Sequence, residues 1–161
     1  MMGVTVHLNA LLEAVETVPG PLDLAANPST RHRITGCHGE FDADSTVPAT
    51  KVWSDDRTLS AGADTMDLTS LARGGDLAAV DATGLKLQGV KVACPATNTA
   101  DVLLTTGAAN GYTVGTVRVT PGGHHLTWFA DGLADVAADA KTIDVTSGDD
   151  DAAYKVLLVF G

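Results

Sequence analysis

The sequence predicts an all-β protein, an antiparallel β-sandwich of jelly-roll-like type. Turn signals rich in Gly, Pro, Asn and Asp recur about every ten residues, the spacing found in sandwiches and barrels. The runs between these turns alternate apolar and polar residues, which places one set of side chains on each face of a strand. Aromatic residues make up only 4% of the chain, and the apolar residues are mainly Ala, Val and Leu. Such a core is thin, so we expect neighbouring subunits to help cover it.

The length and charge of the chain favour one acidic domain. Its 161 residues fit a single domain spanning 1–161. The net charge of −10 argues against nucleic acid as a partner, because binding phosphates requires clustered Lys and Arg. No run of about 18 apolar residues is present, so we expect no membrane span. For the two cysteines, Cys37 and Cys94, two buried free thiols are favoured over a disulfide, because no cysteine framework exists.

The first 30 residues allow two interpretations. Val4-Thr5-Val6 favours a strand, and the leucines and valines that follow, from Leu8 to Val18, have near-helical spacing up to Pro19. Residues 1–30 are therefore predicted either as a strand followed by a short helix or as an extended arm. An arm would reach across to a neighbouring subunit.

Apolar alternation predicts further strands at 31–36, 50–54, 65–68, 102–106 and 142–146. In residues 85–94, Leu85 and Leu87 occupy odd positions, whereas Val90 and Val92 occupy even ones. The change of phase at Gly89 predicts a β-bulge, which keeps one apolar face toward the core.

Two further elements are predicted near the C-terminus. Residues 116–120 and 126–128 alternate around Pro121-Gly122-Gly123, a sequence suited to a turn, and predict a hairpin. Residues 152–160 are apolar on both faces except at Lys155, which predicts a central strand covered on both sides.

Motifs for catalysis, cofactor binding or metal binding are weak. His124 and His125 would point to opposite faces of a strand and could not easily share an ion. Asp149-Asp150-Asp151 lacks the central Gly and late Glu of a calcium loop, and a solvated turn is favoured. Asp42-x-Asp44 has the spacing of a weak cation site, but a turn entering a strand is favoured there too. Cys37-His38 is no catalytic signature. We therefore expect no enzyme activity, no cofactor and no metal.

We expect an interface to contain apolar, aromatic and histidine side chains. The aromatic residues could also form a platform for sugar stacking, but core or interface anchors are favoured for Trp53 and Trp128 in a chain with so few aromatics. The predicted interface residues are Leu8, Leu11, Leu12, Trp53, His124, His125 and Trp128.

A family resemblance adds to this interpretation. Its segments are Asp42 to Asp55 with Arg57-Thr58-Leu59 and Asp67-Leu68, Gly84 to Val92 with Asn98-Thr99, Val117 to Gly123, and the closing Val156 to Gly161. In this order they resemble small structural proteins of bacteriophage and prophage virions, of the head decoration (cement) or head-fibre-base type. The resemblance covers the chain from about Arg31 onward.

The resemblance implies a virion protein on the capsid surface, made in the host cytoplasm. It implies two partners, the major capsid protein and copies of the chain itself in a homotrimer, and it carries no catalytic residues. The leading hypothesis is a capsid decoration protein that stabilises the head from outside. The alternatives are a tail or fibre component that binds host glycans, and a non-viral carbohydrate-binding or adhesion module.

Overall fold

The structure of the chain, a computed structural model, consists of β-strands. It describes residues 45, 47–72 and 79–161 together with the backbone of four strands between residues 6 and 41. Within these residues there are twelve strands and no helix. The strands are β1 (Val6–Asn9), β2 (Leu12–Thr17), β3 (Ser29–Ile34), β4 (His38–Phe41), β5 (Lys51–Thr58), β6 (Ala63–Asp67), β7 (Leu87–Ala93), β8 (Val102–Thr106), β9 (Val117–Val119), β10 (His124–Trp128), β11 (Thr142–Ser147) and β12 (Ala153–Phe160).

Strands β5 to β12 form two four-stranded antiparallel sheets. Sheet I has the order β5-β12-β7-β10, and sheet II has the order β6-β11-β8-β9. Numbered from one to eight, the strands run 1-8-3-6 in sheet I and 2-7-4-5 in sheet II. This is the strand order of a jelly roll, so the predicted fold class is confirmed.

The topology follows from one long antiparallel hairpin wound into two layers. β5 pairs with β12, β6 with β11, β7 with β10 and β8 with β9. Successive pairs fall alternately in sheet I and sheet II, and further ladders join β12 to β7 and β11 to β8. The predicted central strand at the C-terminus is confirmed, because β12 lies between β5 and β7.

The core lies between the two sheets and is built mainly from alternate residues of their strands other than β10. Small aliphatic side chains dominate it, as the composition predicts, and a few aromatic side chains fill the wider spaces. The strand residues of the core include Trp53, Met66, Val90, Val92, Val102, Leu104, Val117, Val119, Ile143, Val145, Tyr154, Val156, Leu158 and Phe160.

The predicted bulge is confirmed in β7. Val159 of β12 pairs with Gly89, whereas the next residue, Phe160, pairs with Leu87, so Gln88 is the extra residue. Because of this insertion, Leu87 and Val90 are both buried and both belong to the core. Gln88 is also buried, and its amide donates to the carbonyl of Val47 at 2.5 Å.

The predicted hairpin of residues 116–128 is wrong. Residues 117–119 pair with β8 in sheet II, whereas residues 124–128 pair with β7 in sheet I. The turn itself forms as expected, with Gly122 at φ 79° and the Gly123 N–H donating to the Thr120 carbonyl at 2.8 Å. The chain therefore crosses between the sheets here. Turn chemistry specifies the reversal of direction but not the sheet in which each strand finds its partner.

The strands at the start of the chain pair with one another. β1 pairs with β4 and β2 pairs with β3, both antiparallel, in two-stranded sheets. The short-helix alternative is wrong for residues 12–17, which form β2. The predicted strand at 31–36 corresponds to β3, which begins two residues earlier and ends at Ile34.

Candidate functional site

The side of sheet I that faces away from the core is the candidate interaction surface. Strand registers arrange its residues in three rows that run across the sheet. We call these residues the outer face of sheet I. They are Val52, Ser54 and Asp56 on β5, Lys155, Leu157 and Val159 on β12, Gly89, Lys91 and Ala93 on β7, and His124, Leu126 and Trp128 on β10.

The first row is apolar and contains Trp128, Gly89, Val159 and Val52. Gly89 allows the indole of Trp128 to lie against the sheet, because a β-carbon at position 89 would come within 2.6 Å of Cζ3 of the ring. The same β-carbon would lie 3.5 Å from Cβ of Val159. The outward-pointing Val159 is only 1% exposed. This row is therefore a closely packed apolar strip.

The second row places one cation between two leucines. Across the four strands, the row contains Leu126, Lys91, Leu157 and Ser54. Leu126 is 39% exposed and is the one large hydrophobic residue exposed within the part of the chain that the structure describes. Lys91 is exposed and Leu157 is half-buried. A partner that covered this row would meet apolar side chains around a positive charge.

The third row is polar. The row runs across the sheet through His124, Ala93, Lys155 and Asp56. Lys155 donates to Oδ2 of Asp56 at 2.5 Å. The second and third rows border an open groove of about 470 Å³, which Ser54, Lys91, Ala93 and Leu157 help to line. The lining of the groove therefore combines apolar side chains with charged ones.

The outer face of sheet II has a different chemistry. Its strands present hydroxyl, carboxylate and guanidinium groups that bind one another. Thr65 on β6 donates to Asp144 on β11 at 2.7 Å, and Arg118 on β9 pairs with Asp101. Thr146 on β11 is exposed. Sheet II therefore presents a mainly hydrophilic surface, in which Leu103 of β8 is half-buried between Thr146 and Arg118, whereas sheet I presents an apolar strip.

Acidic side chains gather in the loops and at strand ends. Asp149 accepts hydrogen bonds from the backbone N–H and the hydroxyl of Thr99, at 3.1 and 2.9 Å, and these bonds lower the pKa of its carboxyl group. At Asp67, burial raises the carboxyl pKa, but hydrogen bonds from Lys141 and Thr69 outweigh it and lower that pKa overall. Hydrogen bonds within the chain thus hold these carboxylates in their charged form.

The predicted interface residues are distributed over several parts of the chain. Leu8 lies in β1 and Leu12 in β2, and Leu11 is outside the described residues. We assign Trp53 to the core, not to an interface, because its side chain is 1% exposed and its indole N–H donates to the Ala72 carbonyl at 2.7 Å.

The other three predicted interface residues, His124, His125 and Trp128, all lie on β10. As adjacent strand residues, the two histidines face opposite sides of the sheet. His124 is exposed on the outer face, and His125 is half-buried with its ring hydrogen-bonded to Thr127. The sequence interpretation missed Lys91, Leu126 and Leu157 as surface candidates. Their outward positions can be inferred from the alternation in β7, β10 and β12, but their grouping depends on long-range strand pairing.

Across residues 45, 47–72 and 79–161, no group of three or more His, Cys, Asp or Glu side chains is placed to hold a metal ion. Cys94 is a buried free thiol, as expected, whereas Cys37 and the Asp42-x-Asp44 motif lie outside the described residues. In that same described part of the chain, no helix has the length and apolarity to cross a membrane.

Comparison with known proteins assigns the chain to no family. No protein-family model matches it, and neither a curated protein nor a solved structure is significantly similar to it. A functional hypothesis therefore depends on the chemistry of the two outer faces.

Proposed function

We propose that the chain is a structural protein of a bacteriophage-like virion, which decorates the outside of the head by binding the major capsid protein. Three features support this proposal. The sequence resembles virion structural proteins, the fold is a jelly roll of the kind used by viral capsid and lectin domains, and the two outer faces differ in polarity. Because one fold supports many functions, the third feature carries the most weight.

The difference between the outer faces suggests an orientation on the particle. The outer face of sheet I carries Trp128, Leu126 and Leu157 around Lys91, so covering it would remove apolar area from water at about 25 cal/mol per Å². The outer face of sheet II is mainly polar, and its Asp144 and Arg118 already have partners within the chain. Sheet I would therefore face the capsid shell, and sheet II would face solvent.

The charges of the chain agree with this orientation. The net charge is −10, and acidic loops that face outward would keep decorated particles apart by mutual repulsion. Lys91 places a positive charge within the apolar surface, where it can pair with a carboxylate of the shell. The homotrimer implied by the resemblance stays a prediction.

Binding to heads tests the proposal. Purified chain is added to expanded, undecorated heads of the phage or prophage that encodes it, and bound protein is measured after sedimentation. We expect saturable binding and an increase in the temperature at which the heads come apart. Heads that bind no chain at any concentration would contradict the decoration role.

Matched variants test the orientation. Leu157→Glu places a carboxylate in the middle of the outer face of sheet I, and we expect it to reduce binding at least about tenfold because the charge must be desolvated. Thr146→Glu adds the same charge on the exposed outer face of sheet II and should leave binding unchanged. The reverse pattern would exclude sheet I as the docking face.

A second candidate, a tail or fibre component that binds host glycans, is favoured by one observation. Trp128 is half-buried on the same outer face as the groove that Lys91, Asp56 and Ser54 help to line. Aromatic rings beside hydrogen-bonding groups are suited to sugars, which have both apolar and polar faces. A glycan array separates the candidates, because this second role requires binding that is lost in Trp128→Ala.

A further inference from the structure

The edge strand β10 differs from the other edge strands of the two four-stranded sheets. β5 carries Asp56, β6 carries Asp64 and β9 carries Arg118, whereas β10, His124–Trp128, has no Asp, Glu, Lys or Arg. Charged residues on an edge strand prevent another strand from pairing with it. β10 lacks this protection, and its central residue, Leu126, is exposed.

The hydrogen-bonding groups on the side of β10 that faces away from β7 can be identified from the ladder between these two strands. The Cys94 N–H donates to the Gly123 carbonyl at 3.0 Å, and the Phe129 N–H donates to the Gln88 carbonyl at 2.8 Å. In an antiparallel pair the residues that bond their partner alternate, so Thr127 also faces β7. The N–H and C=O groups of Leu126 therefore point away from β7.

We propose that β10 pairs antiparallel with β10 of a second copy of this chain, about a two-fold axis that passes between the two Leu126 residues. Sheet I of each copy has four strands, so the pairing joins them into one continuous sheet across the dimer. The proposal concerns how copies of the chain associate, and it holds whether or not the chain decorates a virus head.

The pairing is self-complementary. With Leu126 opposite Leu126 of the partner subunit, the two residues exchange both backbone hydrogen bonds. His124 then lies opposite Trp128 of the partner subunit on the outer face, giving an aromatic pair on each side of the axis. Each copy has a net charge of −10, so a contact between two copies is favoured where it brings no like charges together. The contact between two β10 strands meets this condition, because β10 has no Asp, Glu, Lys or Arg. The same pairing at β5 or β6 would place carboxylates at the contact.

This geometry gives a dimer in place of the trimer implied by the family resemblance. An isologous contact, in which the same strand is used by both copies, closes after two subunits. The outer faces of the two sheets I then form one surface, and the strip around Leu126 continues from one copy into the other.

Light scattering during gel filtration, over a series of protein concentrations, tests the proposal. We expect a mass of twice the 16.4 kDa of the chain. Leu126→Lys brings like charges together at the axis, and Leu126→Pro removes the outward N–H while sparing the ladder to β7. Both should weaken dimerisation at least about tenfold. Leu157→Glu, on the central strand β12, should remain a dimer even where it no longer binds heads.

Amide hydrogen exchange tests the same pairing residue by residue. The Thr127 N–H should be protected at every concentration, because it bonds β7 within one chain, and its protection in the Leu126→Lys variant shows that the variant is folded. The Leu126 N–H should become protected only as the dimer forms. The proposal is overturned by a monomer at all concentrations, by a trimer, by a dimer that persists in both Leu126 variants, or by a Leu126 amide that stays unprotected in the dimer.

Discussion

A single glycine determines how Trp128 packs in the apolar strip of sheet I. A β-carbon at position 89 would lie 2.6 Å from Cζ3 and 2.9 Å from Cε3 of Trp128. We therefore expect Gly89→Ala to push the indole off the sheet and to lower the free energy of unfolding by about 1–3 kcal/mol, the usual cost of overpacking. Iodide quenching of tryptophan fluorescence measures the displacement, because Trp53, the other tryptophan, is 1% exposed.

Gly148→Ala is the matched control. A β-carbon at Gly148 would meet Cβ of Ala100 at 3.5 Å, an ordinary contact. Quenching should be unchanged, and the free energy of unfolding should change by less than about 1 kcal/mol. Equal quenching in both variants would show that Gly89 does not position Trp128.

The sequence predicts much at the residue scale, because alternation is local. The phase change at Gly89 correctly predicts the bulge, and the apolar run of residues 152–160 correctly predicts the central strand β12. The placement of Trp53 was not predicted. A large aromatic residue on an alternating strand suits the core and an interface equally well, and only its packing against the opposite sheet decides between them.

At the scale of elements, the side-chain amide of Asn98 binds both backbone groups of the first residue of β12, as the backbone of a neighbouring strand would. Its Nδ2 donates to the Ala153 carbonyl at 2.7 Å, and its Oδ1 accepts from the Ala153 N–H at 3.1 Å. Nδ2 also lies 3.2 Å from Sγ of the buried Cys94. The side chain thus fixes the loop before β8 to the first residue of the central strand.

We expect Asn98→Ala to lower the free energy of unfolding by about 1–3 kcal/mol, because it leaves the Ala153 backbone groups without these partners. Amide exchange at Ala153 should become faster, whereas exchange at Val156, further along β12, should change only with global stability. If Ala153 remained as protected as in the original chain, Asn98 would not have this structural role.

The sequence predicts the bounds of several strands but not the order of the strands within the two sheets. Strands such as β8 and β11 were predicted within a residue of their observed bounds, because turns and alternation mark them locally. The pairing of β9 with β8 and of β10 with β7 was not predicted. Pairing is determined by contacts between residues distant in sequence, and in this fold it winds the chain into two layers. The grouping of Lys91 with Leu126 and Leu157 could not be predicted for the same reason.

At the scale of the whole molecule, partly buried polar groups join the two sheets. Tyr154 of sheet I donates to Oδ2 of Asp64 in sheet II at 2.5 Å, and Nε of Arg57 in sheet I lies 2.8 Å from the same oxygen. Burial raises the pKa of the Tyr154 hydroxyl, and the Asp64 carboxylate raises it further, so the tyrosine stays protonated and remains a donor.

Tyr154→Phe should therefore lower the free energy of unfolding by about 1.5–3 kcal/mol, the usual value for a hydrogen bond to a charged group. Asp56→Asn removes the exposed pair with Lys155 on sheet I and should cost less than about 1 kcal/mol. Denaturant midpoints of the two variants give this comparison. A loss at Tyr154 no larger than the loss at Asp56 would show that the sheets are held together by apolar packing alone.

In the proposed function, sheet I is the face turned to a partner and sheet II is the face turned to solvent. A cryo-electron microscopy reconstruction of heads saturated with the chain tests it most directly. We expect β5, β12, β7 and β10 to lie against the capsid shell, with Leu157 and Lys91 in the contact. Heads decorated through sheet II, or heads that carry no density for the chain, would contradict it.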